Sequence, residues 1–374
     1  MQLFGILQLL LIGLIVAAGP LAYAWARRGR GARKLVWVIA FFTFDLILFG
    51  AFTRLTDSGL GCPDWPGCYG TSNPQAAHAQ IKLAEAAMPT GPVTVGKAWI
   101  EMIHRYLAMG VGVFLSALTV LAWRQRDSPE GQASPLAAAA LLGLVCLQGA
   151  FGAWTVTLRL MPLVVTVHLM LALLLLSALG WCAMQRAPGD PAPLALAGLR
   201  RPILLVWGLV MFQAALGGWV STNYAVLACP DFPLCHGMLV PTKADFQSGF
   251  QLLRPLGVLQ DGSHLPVEAL IAIHWTHRAF AVVVAAAVIG VTIAVRRSGS
   301  AGSPHRNLAN ALLAILALQV LSGISNVVFA WPIAVAVLHN GGAAAMVLLL
   351  ALLHTQATAS TASAAPTNMM AAPT

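Results

Sequence analysis

Charge is what this sequence has least of. Only 9% of its 374 residues are Asp, Glu, Lys or Arg, while 59% are hydrophobic and the mean hydropathy is +0.79. A soluble domain carries about 25% charged residues, so this chain cannot cover a globular surface with polar groups, and its apolar content equally excludes intrinsic disorder. Acids are scarcer than bases, 12 against 21 for a net +9. No basic stripe lies on a polar face, which excludes nucleic acid as a partner. Cysteine is scarce as well: there are six, with none in a C-x2-C knuckle, so a structural zinc site is disfavoured. What remains is an all-α polytopic membrane protein in contact with lipid.

Runs of about 20 apolar residues are long enough to cross a bilayer. Nine are legible, at 3–25, 35–55, 98–123, 134–156, 161–184, 203–224, 267–295, 307–329 and 332–354. The first exceeds a signal-peptide core, has no basic residues ahead of it and is followed by basic residues, so it reads as a retained helix. Arg27, Arg28, Arg30, Arg33 and Lys34 follow the first run; Arg124 and Arg126 follow the third. Arg186, Arg200 and Arg201 come after the fifth, and Arg296, Arg297 and Arg306 lie between the seventh and eighth. Thirteen of the 21 basic residues therefore fall on one side, which the positive-inside rule makes cytoplasmic. The long loops 56–97 and 225–266 then face outward.

The chain repeats itself. Residues 50–70 read GAFTRLTDSGLGCPDWPGCYG and residues 217–237 read GGWVSTNYAVLACPDFPLCHG, an offset of 167. Further on, Ile103-His104-Arg105 matches Thr276-His277-Arg278, Leu147-Gln148 matches Leu318-Gln319, and His168 matches His339. Each copy carries four spans entering the membrane in the same direction, a parallel repeat about the membrane normal. The expected organisation is an N-terminal helix and basic loop (1–34), a four-helix bundle (35–187), a linker (188–202), a second four-helix bundle (203–356) and a C-terminal tail (357–374).

His104, His168, His277 and His339 fall at similar depth, roughly 10 Å below the outer surface. One intramembrane histidine is most simply an interhelical hydrogen bond. Two repeated pairs at one level point instead to imidazoles holding a haem iron from both faces, since ionisable groups at this depth are costly. Arg105 and Arg278 directly follow candidate ligands; each guanidinium is suited either to a haem propionate or to snorkelling toward the interface.

The copies differ three residues before the first ligand, where Glu101 stands opposite His274. Glu101 shares a helix face with His104, so its carboxylate is directed at the cavity that His104 lines, where it could accept protons or stabilise positive charge. A solvated interfacial charge is the alternative, and its absence from the second copy argues against a purely structural duty. Asp45, mid-span, either hydrogen-bonds a neighbouring helix or relays protons. Gln148, Gln213 and Gln319 each precede a glycine by four residues, a spacing typical of helix packing. Cys146 and Cys182 lie within spans. Cys62, Cys68, Cys229 and Cys235 lie in the outward loops, where disulfides form; of three possible pairings the repeat favours Cys62–Cys68 and Cys229–Cys235.

The two Cys-Pro-Asp-aromatic-Pro loops, Thr53-Arg54-Leu55-Thr56 ahead of Gly59-Leu60, the Glu101–Arg105 and His274–Arg278 segments, His168 and His339 together resemble the bacterial haem A synthase family, from about residue 36 to 354. The resemblance implies eight helices in two four-helix bundles, to which the N-terminal span is additional. It implies oxidation of the haem O methyl group to a formyl group through a hydroxymethyl stage, making haem A for terminal oxidases. His277 and His339 would hold haem b, His104 and His168 would hold the substrate haem, and Glu101 would be the catalytic carboxylate. A bacterial inner-membrane location with periplasmic Cys loops is implied too, as are haem O synthase and oxidase assembly factors as partners and compatibility with a homo-oligomer. The rival readings are a quinol-linked di-haem b electron-transfer protein, in which both haems are permanent, and a transporter or haem-insertion chaperone.

Overall fold

A computed structural model describes residues 8, 11–15, 17–18, 31–126, 134–184 and 194–362. Among them are eight helices long and apolar enough to cross a membrane, and no named strand. We number the helices α1 (Gly31–Leu55), α2 (His78–Ala87), α3 (Val95–Arg124), α4 (Pro135–Thr157), α5 (Pro162–Ala183), α6 (Arg200–Thr222), α7 (Phe246–Gly249), α8 (Val267–Arg297), α9 (Pro304–Val328) and α10 (Ile333–Ala362). All but the short α2 and α7, which belong to the loops between spans, are of membrane length. This is a multi-pass membrane protein.

Eight of the nine expected spans are matched, with boundaries set by caps that hydropathy does not weigh. Thr94 accepts a hydrogen bond from the Lys97 amide and starts α3 three residues early, and Ser134 caps Ala137 with Pro135 in the first turn of α4. Most of the ninth span, at 3–25, lies outside the described residues, as do Arg27, Arg28, Arg30 and Arg186, residues 188–193 of the linker and residues 363–374 of the tail. The described part of that first span, 11–15 and 17–18, is helical; Gly13 approaches Met109 of α3 and Ala17 is buried in the main core.

The spans form two rings. In the first, α1 packs on α3 and α5, and α4 packs on the same two; in the second, α6 packs on α8 and α10, and so does α9. The rings meet through α5 against α6 and through α10 against both α1 and α5. Repeat-related residues touch where they meet. The Arg54 guanidinium donates to the Ser221 carbonyl at 2.6 Å and stacks over the Tyr224 ring, and the Tyr224 hydroxyl donates to Asp57.

Packing is uneven along the spans. Phe114, Leu118, Leu179, Val288, Val295, Leu312 and Leu353 belong to one continuous buried cluster and lie toward the ends of their helices remote from the Cys loops, with Leu173 and Val347 of the same cluster at mid-helix. That end is a floor of buried Leu, Val and Phe. Toward the Cys-loop end the cluster stops, and the histidines begin.

Candidate functional site

His104 follows the first residue of α3 by nine positions, His277 that of α8 by ten, and His168 and His339 those of α5 and α10 by six each. At about 1.5 Å per residue the four rings sit roughly 9–15 Å below the helix starts. In each ring the two histidines stand on the helices at opposite corners, and each pair is close enough to interact electrostatically, His104 with His168 and His277 with His339. All four are partly buried within the helix rings.

A glycine on a neighbouring helix faces every one of these rings. A Cβ added at Gly50 would stand 3.0 Å from His104, at Gly152 3.3 Å from His168, at Gly217 3.0 Å from His277, and at Gly323 3.2 Å from His339. A larger residue at any of these positions would press on the imidazole and ask it to give by a few tenths of an ångström. Three of these glycines are the ones that follow glutamine by four, so the spacing that reads as helix glue marks the histidine cradles. The glutamines themselves brace the ligand helices: Gln148 donates to the His168 carbonyl at 2.9 Å and Gln213 to the His277 carbonyl at 3.0 Å.

Two histidines on opposite helices of a bundle, each beside a glycine, suit a haem iron by donor type, and they would be the residues to hold it. A bare metal ion fits poorly, since no group of three or more His, Cys, Asp or Glu among the described residues could hold one.

Above each pair lies a Cys loop. The structure bonds Cys62 to Cys68 and Cys229 to Cys235. Within each loop an aspartate folds the chain on itself: Asp64 accepts from the Tyr69 and Gly70 amides, and Asp231 from those of His236 and Gly237. Gly70 and Gly237 have φ of 70° and 73°, a left-handed turn that glycine adopts freely. These amide bonds hold the Asp231 carboxyl below its ordinary range. Gly61 lies so close to the Lys97 backbone that any Cβ there would collide with it, which brings the first loop down onto α3.

Arg105 and Arg278 anchor these loops. Arg105 donates to the carbonyls of Asp64 (2.9 Å), Pro66 (3.1 Å) and Gly67, and Arg278 to those of Asp231 (2.7 Å), Leu234 (3.1 Å) and Cys229 (2.7 Å). Glu101, buried, accepts from the Cys62 amide at 2.8 Å through Oε2 and pairs with Arg105 through Oε1. Glu101 thus has a structural duty, although its absence from the second copy argues against a purely structural one. His274 occupies the same place, receiving the Cys229 amide at 3.2 Å on Nδ1, with the Arg278 Nε 3.1 Å from its Nε2. The residue types differ while the structural role is shared.

Asp45 stands apart from both sites, on the exposed side of α1, with no hydrogen bond to a neighbouring helix described. Sequence reasoning passed over Ser322, whose Oγ lies 2.9 Å from His339 Nδ1. Its neighbour Gly323 sits in the glutamine–glycine spacing, which was the available signal.

Membrane-length helices in two rings, each with one histidine pair under a disulfide-closed loop, define a multi-pass membrane protein of duplicated bis-histidine architecture. The chain belongs to the cytochrome oxidase assembly protein family (COX15-CtaA), which it matches over residues 33–353. It is 39% identical to the haem A synthase of Shewanella oneidensis over 85% of this chain and 94% of that protein. It is 32% identical to the haem A synthase of a Caulobacter species (85% and 93%) and 30% identical to that of Beijerinckia indica (91% and 96%).

Proposed function

We propose that this chain is an oxidoreductase that converts the methyl group of haem O to the formyl group of haem A through a hydroxymethyl stage. The observation that carries this reading is a histidine pair cradled by glycine in each half, with a carboxylate at the rim of the first half only. His104 and His168 hold the substrate haem in the half spanning 35–187. His277 and His339 hold haem b in the half spanning 203–356, where it supplies a one-electron redox centre when bound. The family and the named relatives support the haem O substrate and the role in oxidase assembly.

The residues of the first half then have distinct tasks. The two imidazoles fix the substrate between α3 and α5, and the packed floor beneath them limits how deep it sinks. Of roughly four acceptor sites on the Glu101 carboxylate, Cys62 and Arg105 occupy two. The remainder can take a proton or steady positive charge developing on substrate carbon. Arg105 pairs with that carboxylate and aims it. With its donors on the loop carbonyls, it reaches a propionate only by exchanging one of them. The Cys loops close the sites on the face opposite the basic loops, which is periplasmic in a bacterial inner membrane. Haem O synthase and oxidase assembly factors are the matching partners for delivery and removal.

Extraction and chromatography of pigment after co-expression with a haem O-making enzyme tests the proposal. Haem A and its hydroxylated precursor beside haem b are expected; haem b alone, with haem O untouched, overturns it. The shared structural role of Glu101 and His274 is what a permanent di-haem electron-transfer protein would display, and two equivalents of haem b per chain in the same assay would establish that reading instead.

A further inference from the structure

The ligands on α5 and α10 are equivalent by repeat, yet their outer nitrogens are treated differently. Residues 147–152 read LQGAFG and residues 318–323 read LQVLSG, so Phe151 and Ser322 occupy the same position, next to the glycine that faces the imidazole. Ser322 Oγ lies 3.1 Å from the Gln319 carbonyl and 2.9 Å from His339 Nδ1. When the hydroxyl proton lies on the Gln319 carbonyl, the serine oxygen is free to accept from Nδ1–H. That hydrogen bond selects the tautomer with a bare lone pair on Nε2, the atom an iron would take, and holds the ring in one orientation. Phe151 offers no acceptor. The backbone carbonyls of Gln148 and Gln319 stand toward His168 and His339 alike; His339 has the serine in addition, whereas no side chain meets the buried His168 Nδ1.

We infer that Ser322 is a positioning residue that makes the second-half ligand a fixed one, and that Phe151 leaves its first-half counterpart yielding, so that one half retains its haem while the other releases it. This rests on the assignment of His339 and His168 as haem ligands made above. A ligand whose far nitrogen is hydrogen-bonded is more basic and already oriented, and loss of such an outer partner costs about 10–100-fold in metal affinity. A half that must admit a substrate and discharge a product gains nothing from such retention. A resident centre does.

The test is haem transfer from the purified, detergent-solubilised full chain to excess apomyoglobin, with the low-spin electron paramagnetic resonance signal recorded in parallel. Ser322→Ala is expected to speed loss of haem b by about 10-fold or more and to broaden or shift its low-spin signal, while Ser322→Thr, which keeps the hydroxyl, stays near the parent. Phe151→Ser is expected to slow release of the first-half haem. Parent-like transfer and spectrum in Ser322→Ala overturn the role of Ser322, and parent-like release in Phe151→Ser overturns that of Phe151. His339→Ala separates this inference from the one beneath it. If it loses haem b while Ser322→Ala does not, only the positioning role fails; if neither variant changes haem b, the ligand assignment fails with it.

Discussion

In the first half the Cys-loop amide and the anchoring arginine converge on a carboxylate, Glu101; in the second they converge on an imidazole, His274. Two donors meeting an anion are both satisfied. Two donors meeting a neutral imidazole are not, because only one ring nitrogen can accept. At the rim Arg105 makes a direct ion pair with Glu101, while Arg278 meets His274 and loop carbonyls, with the Asp231 carboxylate only at longer range. At the ligands the preference is reversed: His339 has a hydrogen-bonded outer nitrogen and His168 does not. Duplication supplied one scaffold twice, and each copy was then refined at a different level, the first at its rim and the second behind its ligand.

Removing ligands is the most severe way to break this comparison. His277→Ala or His339→Ala should abolish the low-spin haem b spectrum. His104→Ala or His168→Ala should leave haem b in place and stop haem A formation, as measured by haemochrome spectra and pigment chromatography. Equal loss of haem b from both halves would mean that the halves hold the same pigment.

Glu101→Gln comes next. It keeps shape and part of the hydrogen bonding but removes the charge, and turnover should fall by about 10²-fold or more, the scale of general acid–base catalysis, at unchanged haem b content. Normal haem A output would leave Glu101 only the structural role it shares with His274.

The arginines sharpen the contrast through stability. Arg105→Leu strands a buried carboxylate and should cost about 3 kcal/mol, the lower end for breaking a buried pair. Arg278→Leu leaves loop carbonyls and the solvent-accessible Asp231 carboxylate rather than a buried charge, and about 1–2 kcal/mol is expected. Detergent-solubilised thermal melts that rank the two variants the other way would contradict the charge argument.

The smallest effects concern the glycines. Gly50→Ala and Gly217→Ala press on His104 and His277 and should perturb the haem spectrum of their own half only. Gly112→Ala, with open space around its Cβ position, should leave both spectra alone and raise stability slightly, by up to about 1 kcal/mol. A perturbation from Gly112→Ala equal to that from Gly217→Ala would undo the cradle interpretation.

Much of this was readable from the chain. Spans follow from length and hydropathy, because a bilayer admits little else, and the eight described here lie within a few residues of their expected ends except at the last, whose helix runs to Ala362, eight residues past the expected 354. The histidines stood out because they recur in pairs at one depth, and the cysteine pairing followed from the repeat. Glu101 was visible as an asymmetry, but its bond to the Cys62 amide was not: a loop amide 39 residues away leaves no trace in local spacing. Ser322 was missed for a related reason. Serine in an apolar helix normally bonds its own backbone, and only the approach of α10 to α9 brings His339 Nδ1 to its oxygen.

The sequence by itself determined that the protein lives in a membrane, that it is built twice, and which residue types stand at the working depth. These are properties of composition and period, and they do not depend on which helix packs beside which. Tertiary structure alone decided which helices oppose one another, that each histidine faces a glycine from another helix, that Arg105 and Arg278 grip the Cys loops, and that the two copies differ behind their ligands. Each of these depends on contacts between distant segments, whose energies come from hydrogen-bond geometry and close packing that no single segment carries.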